Sequence, residues 1–167
     1  LEPALAAAPT ARVLTLTSRL HQPGSRGDAV DFEFSDPNLE HGYSPDRAYK
    51  NSKLAAIWIS SELNRRLPAT VTSDAICPGF VPTTAAAYTT GWQRFLLRRI
   101  LPRLSFTTTI DQAAADVAWA LDAPELAGSG GRYLADRQIA VPSKDARDST
   151  KARRFWELAT ALWPAYA

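Results

Sequence analysis

The alternation of apolar and polar residues along the chain predicts three short strands. Residues 12–17 (RVLTLT) alternate apolar and hydroxylated side chains, which is typical of a buried strand. Residues 69–77 (ATVTSDAIC) form a second such segment, which ends at Pro78, and residues 131–135 (GRYLA) form a third, which follows a glycine-rich turn.

Apolar positions spaced three to four residues apart predict the helices. Ser44 followed by Pro45 is typical of a helix start, because a serine hydroxyl caps the first turn and proline fits its first position. Residues 1–9 are interpreted as the last turns of a helix, and residues 19–45 as a loop whose acidic side chains face solvent. The predicted helices cover residues 45–67, 91–104, 110–121 and 149–163.

Strands separated by helices of this length indicate an α/β layer fold with a parallel sheet. Three strands are few for such a sheet. The chain also begins at Leu1 and contains no methionine, so we expect it to be part of a longer polypeptide.

The composition is that of a globular protein and narrows the classes of function. Of the residues, 46% are hydrophobic and 22% are charged, and the net charge of +2 is too small to indicate nucleic acid as the main partner. A membrane span is excluded, because no apolar run reaches the roughly 18 residues that it needs, and membrane contact is not favoured. Cys77 is the single cysteine, which predicts a reducing, cytoplasmic location, and two histidines with one cysteine do not predict a zinc site.

Tyr49 and Lys53 are the pair that carries the most chemical information. They are four residues apart on one predicted helix, so they lie on the same face, one turn from each other. An ammonium about 4 Å from a phenol favours the phenolate by about 4 kcal/mol at an effective dielectric constant near 20, or roughly three pKa units. Such a tyrosine can give or take a proton near neutral pH. The alternative interpretation is a half-buried tyrosine beside a solvent-facing lysine.

The ends of the first two predicted strands add polar and conformationally permissive residues. Ser18 follows the first strand, and Pro78 and Gly79 follow the second. Open α/β sheets bind their ligands at the carboxyl ends of the strands. Glycine allows a ligand to approach the backbone closely, and Thr83 or Thr84 offers hydroxyl and N–H donors. Each of these residues is alternatively an ordinary turn residue.

In these residues the sequence resembles the short-chain dehydrogenase/reductase family, in its retinol-dehydrogenase-like and protochlorophyllide-reductase-like branch. The resemblance implies that residues 1–167 form the carboxyl half of a Rossmann-type doubly wound parallel sheet. The glycine-rich loop of the family, its cofactor-selecting position and its helix-borne asparagine are then expected upstream of this chain. The matching segments are the strand that ends at Ser18, AYKNSK (48–53), ICPGFVPTT (76–84) and the closing helix 151–163.

The resemblance implies a role for each matching residue. Tyr49 would be the general acid/base, and Lys53 would lower its pKa and, with it, contact the nicotinamide ribose. Ser18 would hydrogen-bond the substrate oxygen. Thr15 and Thr17 stand where this branch commonly has asparagine and serine. NADP(H) is favoured over NAD(H), because the branch favours it. The residues expected to line the nicotinamide and pyrophosphate are Pro78, Gly79, Val81 and Thr83.

Residues 91–104 correspond to the substrate-binding lid of such a protein. Apolar residues alternate there with arginines, and we expect Trp92 and Phe95, together with Phe80, to contact the substrate. Core packing and contact with an anionic membrane are the alternatives for this helix.

The sequence thus predicts, provided that the amino-terminal half is supplied, a nicotinamide-dependent oxidoreductase that interconverts a carbonyl and an alcohol on a small apolar substrate. One alternative is a C=C reductase of the protochlorophyllide-reductase-like kind. Another is a non-catalytic half-domain that acts as a dimerisation or binding module. The resemblance implies a homo-oligomer, a dimer or tetramer, with helix 45–67 as a candidate dimer face. His21 is interpreted as a loop histidine bonded to backbone, with substrate contact as the alternative, and Cys77 as a buried apolar residue.

Overall fold

The computed structural model describes residues 2–23, 30–82, 90–101 and 107–162. A four-stranded sheet runs through this part of the chain, in the order β1-β2-β3-β4. The first three strands are parallel to one another, and β4 is antiparallel to β3. This arrangement confirms the predicted α/β fold. The strands are β1 (Ala11–Leu16), β2 (Val71–Cys77), β3 (Tyr133–Ala135) and β4 (Gln138–Ala140).

Apart from the one predicted over residues 91–104, the helices begin and end close to the predicted residues, because the caps that the sequence carries are formed. The Ser44 hydroxyl accepts a hydrogen bond from the Arg47 backbone N–H at 3.2 Å, and the helix ends just before Pro68. In the described part of the chain, no helix has the length and apolar character that crossing a membrane requires. The helices are α1 (Glu2–Ala7), α2 (Pro45–Arg66), α3 (Gly91–Phe95), α4 (Ile110–Asp122) and α5 (Ser149–Leu162).

Apolar side chains cover both faces of the sheet. Neighbouring residues of a strand point to opposite faces, so Ala75 and Cys77 of β2 join one cluster and Ile76 joins the other. Trp58 of α2 is completely buried in the first cluster, where it packs against a group of aromatic rings. The rings in contact with it are Phe32, Phe34 and Phe155.

A buried ion pair joins β2 to the segment that leads into β3. The Asp74 side chain is fully buried and the Arg132 side chain is 12% exposed. The Arg132 guanidinium donates to both carboxylate oxygens, at 3.1 Å and 2.8 Å, and its backbone N–H donates to one of them at 2.8 Å. This bidentate geometry compensates for the loss of water around both charges.

The predicted third strand is present but begins at Tyr133 rather than Gly131, the second begins at Val71 rather than Ala69, and β4 was not predicted. The two strands form a hairpin through Asp136 and Arg137, both of which have positive φ (53° and 55°). Tight hairpin turns need this conformation and usually obtain it from asparagine or glycine. Aspartate also tolerates positive φ but arginine rarely adopts it, so this turn gives only a weak sequence signal.

The predicted helix over residues 91–104 is also not one regular helix. α3 ends at Phe95, and Leu96–Ile100 continue as a π-helical segment. A wider turn shifts the phase of the following side chains, so a periodicity counted at 3.6 residues fails there. Residues 102–104, and Trp163 at the predicted end of α5, lie outside the described residues.

Candidate active site

Ser18 lies just beyond the carboxyl end of β1, as predicted. The Thr17 N–H donates to the Ile76 carbonyl at 2.8 Å, which extends the ladder between β1 and β2 by one residue. Ser18 then caps a short 3-10 turn, and its hydroxyl oxygen accepts from the Leu20 N–H at 3.2 Å. The Ser18 hydroxyl is therefore held at the sheet edge where open α/β folds bind ligands.

Tyr49 and Lys53 lie side by side on the first turns of α2. The ammonium nitrogen of Lys53 lies over the Tyr49 ring, 5.4 Å from its centre, and 3.4 Å from the Leu16 carbonyl oxygen at the end of β1. The predicted shared face is thus confirmed, and it is turned towards the end of the strand that precedes Ser18. Tyr49 is 45% exposed, so a ligand can reach it.

Thr17 fixes the position of α2 against β1. Its buried hydroxyl donates to the Lys53 carbonyl oxygen at 2.7 Å. From the sequence, Thr17 was only a departure from the pattern of the family it resembles. A hydroxylated residue at the end of a buried strand, pointing towards a helix, was the signal available, since such a group needs a partner.

The turn after β2 brings Pro78, Gly79 and Val81 to the same sheet edge, because the register pairs Leu16 with Ile76. Thr83 lies outside the described residues. Tyr49, Lys53 and the backbone of this turn form a donor and acceptor set of the kind that ribose hydroxyls and a carboxamide bind. On these grounds the described residues fit the nicotinamide end of a dinucleotide.

Gly79 is needed for a reason that the sequence did not reveal. Its φ is +86°, and a Cβ built on it would lie 3.0 Å from the Thr108 Cβ and closer still to the Thr108 hydroxyl. The Thr108 N–H donates to the Phe80 carbonyl at 2.8 Å, so the segment before α4 is bonded to this turn. The close approach expected of a ligand at Gly79 is therefore made by Thr108, while the backbone groups of the turn remain the candidate ligand contacts.

The predicted substrate-contacting side chains are not gathered into one pocket. Trp92 is 69% exposed and Phe95 is 49% exposed, and their rings stack on each other at 5.2 Å. No residue of α3 is buried, so core packing of this helix is wrong for its described residues. Phe80 is also exposed, and it lies in the turn after β2.

His21 and Cys77 follow their structural interpretations. His21 is buried and bonded to backbone through both ring nitrogens, so its ring is not presented to a substrate. Cys77 is buried at the end of β2, as predicted. Two cavities in the described part of the chain, of about 190 and 450 Å³, are lined by neither Tyr49, Lys53 nor Ser18. The described residues contain no group of three metal-ligating side chains.

No protein-family model matches the chain, but curated proteins do. Polyprenol dehydrogenase from Mus musculus is 37% identical over 148 residues, which make up 87% of this chain and 42% of that protein. Retinol dehydrogenase 14 from Homo sapiens is 30% identical over 155 residues, 90% of this chain and 44% of that protein. A chloroplastic short-chain dehydrogenase, TIC 32 B from Brassica napus, is 29% identical over 157 residues, 90% of this chain and 46% of that protein.

A solved structure has the same fold. The crystal structure of an uncharacterised protein from Mycobacterium paratuberculosis superposes with a TM-score of 0.61 at 27% identity. The match covers 92% of this chain and 50% of the other. The chain thus spans about half the length, or less, of the proteins that it matches.

The curated relatives are oxidoreductases, which defines the class of protein to which this chain is related. More particularly, they are members of the short-chain dehydrogenase/reductase family, and the chain is homologous to that family over most of its length. The resemblance carried by Ser18, AYKNSK (48–53) and ICPGFVPTT (76–84) is thereby confirmed.

Proposed function

We propose that the protein is a nicotinamide-dependent oxidoreductase that interconverts a carbonyl and an alcohol on a small apolar substrate. The observation that carries this proposal is the placement of the Lys53 ammonium 5.4 Å from the centre of the Tyr49 ring, beside the strand end that leads into Ser18. Tyr49 and Lys53 on α2, and Ser18 after the adjoining β1, are thus three groups that could transfer a proton to a carbonyl and orient it.

The residues of this chain would divide the proton chemistry between them. Tyr49 protonates the carbonyl oxygen during reduction, or removes the hydroxyl proton during oxidation. The Lys53 ammonium places a positive charge beside the Tyr49 ring, 5.4 Å from its centre. Ser18 donates a hydrogen bond to the substrate oxygen and holds it at the distance that proton transfer requires.

A nicotinamide cofactor, when bound, supplies or accepts the hydride. Lys53 and Tyr49 would contact its ribose, and the backbone of Pro78, Gly79 and Val81 would line the nicotinamide. Thr83 is proposed with them from the sequence pattern. NADP(H) is proposed over NAD(H), because the branch of the family that the sequence resembles favours it.

The decisive experiment compares Tyr49→Phe with Tyr43→Phe, a matched control in which an exposed tyrosine outside the site loses the same atom. Turnover of the full-length protein, which includes the cofactor-binding half expected upstream of this chain, is measured with NADPH and NADH on isoprenoid alcohols and aldehydes, and cofactor affinity by fluorescence titration. These substrates are chosen because relatives carry the names polyprenol dehydrogenase and retinol dehydrogenase. Tyr49→Phe should lower kcat by about 10²–10⁴-fold and leave the cofactor Kd nearly unchanged, since only the transferable proton is lost.

The other variants separate the proposed roles. Lys53→Ala should weaken both turnover and cofactor binding, and Ser18→Ala should lower turnover alone. A Tyr49→Phe protein that keeps most of its activity would show that the proton is transferred elsewhere. A product reduced at C=C would favour the protochlorophyllide-reductase-like reaction. A protein that binds neither cofactor would favour the dimerisation or binding module.

The assembly and location of the protein stay predictions from the sequence. A homo-oligomer that uses α2 as its dimer face should elute at a multiple of the monomer mass in size exclusion with light scattering. A substitution on the outer face of α2, such as Ser52→Glu, should then shift it towards the monomer, because Ser52 is exposed on that helix. A cytoplasmic location, and a bacterial origin, are consistent with a single buried cysteine and an arginine-rich composition.

A further inference from the structure

His21 is a buried residue whose ring bonds two distant segments at once. Its Nδ1 lies 2.6 Å from the Ser18 carbonyl oxygen, and its Nε2 lies 3.2 Å from the backbone nitrogen of Ser143. The Ser18 carbonyl can only accept a hydrogen bond, and the Ser143 N–H can only donate one. The network therefore requires a neutral ring that carries its proton on Nδ1.

The Ser18 carbonyl is held by His21 in two ways. Besides the ring contact, the His21 backbone N–H donates to the same oxygen at 3.3 Å. The turn formed by residues 18–20 is thus closed by hydrogen bonds, and the Ser18 hydroxyl lies at its start, at the edge of the sheet. Through Nε2 the turn is bonded to the segment after β4, 122 residues away along the chain.

The surroundings of the ring favour its neutral form. The Tyr133 ring packs edge-on against it, with ring centres 5.0 Å apart. Burial lowers the pKa of His21 below its ordinary 6.5, and the hydrogen bond to Ser18 opposes this with a smaller effect. Protonation would also set an Nε2–H against the Ser143 N–H, two donors facing each other. Of the ionisable residues near this turn, Tyr133 contacts the ring and Asp136 pairs with Arg19. The helix packed against the turn is α2, whose ionisable residues are Asp46, Arg47, Tyr49, Lys50, Lys53, Glu62, Arg65 and Arg66.

We propose that His21 is a positioning residue: its Nδ1-protonated, neutral ring fixes the turn from which the Ser18 hydroxyl reaches the substrate. The inference rests on the proposed function in so far as Ser18 binds substrate. His21 itself touches no reacting atom. It acts by bonding the Ser18 carbonyl to the Ser143 segment, so that the hydroxyl is held in place before the substrate arrives.

The first test needs no activity. Long-range ¹H–¹⁵N spectra of the labelled protein at pH 7.5 report which ring nitrogen carries the proton. His21 should show a protonated Nδ1 and a bare Nε2, and the ring of His41, whose side chain is 93% exposed, is the reference in the same spectrum. A ring protonated on Nε2, or one that exchanges freely between the two forms, overturns the proposal.

The second test separates positioning from general stability. His21→Phe fills the space and loses both bonds, His21→Asn keeps an N–H donor near the Nδ1 position, and His41→Phe is the matched control. In His21→Phe the Ser18 ¹³C carbonyl shift should change and kcat should fall by about tenfold to a hundredfold, with the cofactor Kd within about twofold. His21→Asn should recover most of that loss, and His41→Phe should leave kcat unchanged. An unchanged kcat in His21→Phe overturns the proposal.

The pH profile gives a signature that a merely structural residue would not. The folded pKa of His21 is lowered, so the bond to Ser143 is complete above pH 6.5 and is lost as the pH falls through the folded value. The kcat of the wild-type protein should fall as the pH decreases through that range, and this fall should be absent in His21→Asn. A fall over the same pH range in both proteins overturns the proposal. If Ser18→Ala keeps full turnover, the proposed role of Ser18 is wrong instead. The ring spectra and the Ser18 carbonyl shift then still test whether the His21 ring bonds Ser18 to Ser143.

Discussion

Replacing Gly79 by alanine should destabilise the protein by more than the backbone conformation alone explains. A left-handed φ costs an alanine about 1–2 kcal/mol relative to glycine. At Gly79 the new Cβ must also displace Thr108, since it would lie 3.0 Å from the Thr108 Cβ and closer to its hydroxyl. Forcing an extra carbon into a packed site costs a further ~1–3 kcal/mol.

Gly128 supplies the matched control. It has a φ of +75°, and a Cβ built on it meets no atom within 4 Å. Gly128→Ala therefore has the same cost of a left-handed backbone, and the same loss of conformational entropy in the unfolded chain, as Gly79→Ala, but it has no steric clash. The difference between the two variants isolates the contact with Thr108.

Urea unfolding followed by tryptophan fluorescence measures that difference. Gly79→Ala should be about 1–3 kcal/mol less stable than Gly128→Ala, which is a midpoint lower by roughly 1 M for a slope near 2 kcal/mol/M. Adding Thr108→Ala to Gly79→Ala removes the Thr108 hydroxyl, which is the nearest atom, but keeps the Thr108 Cβ at 3.0 Å, so it should recover part of the extra loss. Equal destabilisation by Gly79→Ala and Gly128→Ala would refute the reasoning.

Three further predictions concern the packing around the sheet. Arg132→Met leaves the Asp74 carboxylate buried without its partner, so urea unfolding should show a loss of about 3–5 kcal/mol, and a double variant that also replaces Asp74 by leucine should be less destabilised. The hydrogen bond from Arg65 holds the pKa of Glu62 below its ordinary 4.5, so the stability that Glu62 contributes is present above that value and is lost as the pH falls through the folded pKa. The difference in unfolding free energy between wild type and Glu62→Gln should therefore be largest near pH 7 and should shrink as the pH falls below 4.5. The Cys77 thiol is buried, so it should react with an aromatic disulfide reagent only in urea, and rapid reaction of the folded protein would contradict its placement.

Most of the fold could be predicted from the sequence because its signals are local. The N-cap at Ser44 and the stop at Pro68 fix α2 to within one residue of the predicted bounds, 45–67. The hairpin at Asp136 and Arg137 was not predicted, because aspartate alone is a weak turn signal and arginine rarely adopts the positive φ that it has here.

The candidate site divides in the same way. The spacing of Tyr49 and Lys53 determines their shared face through helix geometry alone. The contact of Gly79 with Thr108 and the bond from Ser143 to His21 join segments that are far apart in the chain, so nothing near either residue in the sequence announces its partner. Such contacts depend on how the elements pack, which periodicity does not specify.

The hydroxyl of Thr17 and the ammonium of Lys53 cross-link β1 and α2 in opposite directions, one bonding to the helix backbone and the other to the strand backbone. A displacement of the helix along its axis would therefore carry the strand end with it, and Ser18, Tyr49 and Lys53 would move as one rigid body. Under the proposed function, a new substrate preference is then best sought in the segments around Phe80 and α3, where side chains are exposed. The hydrogen-bonded strand β1 and helix α2 can be kept unchanged while those segments are exchanged.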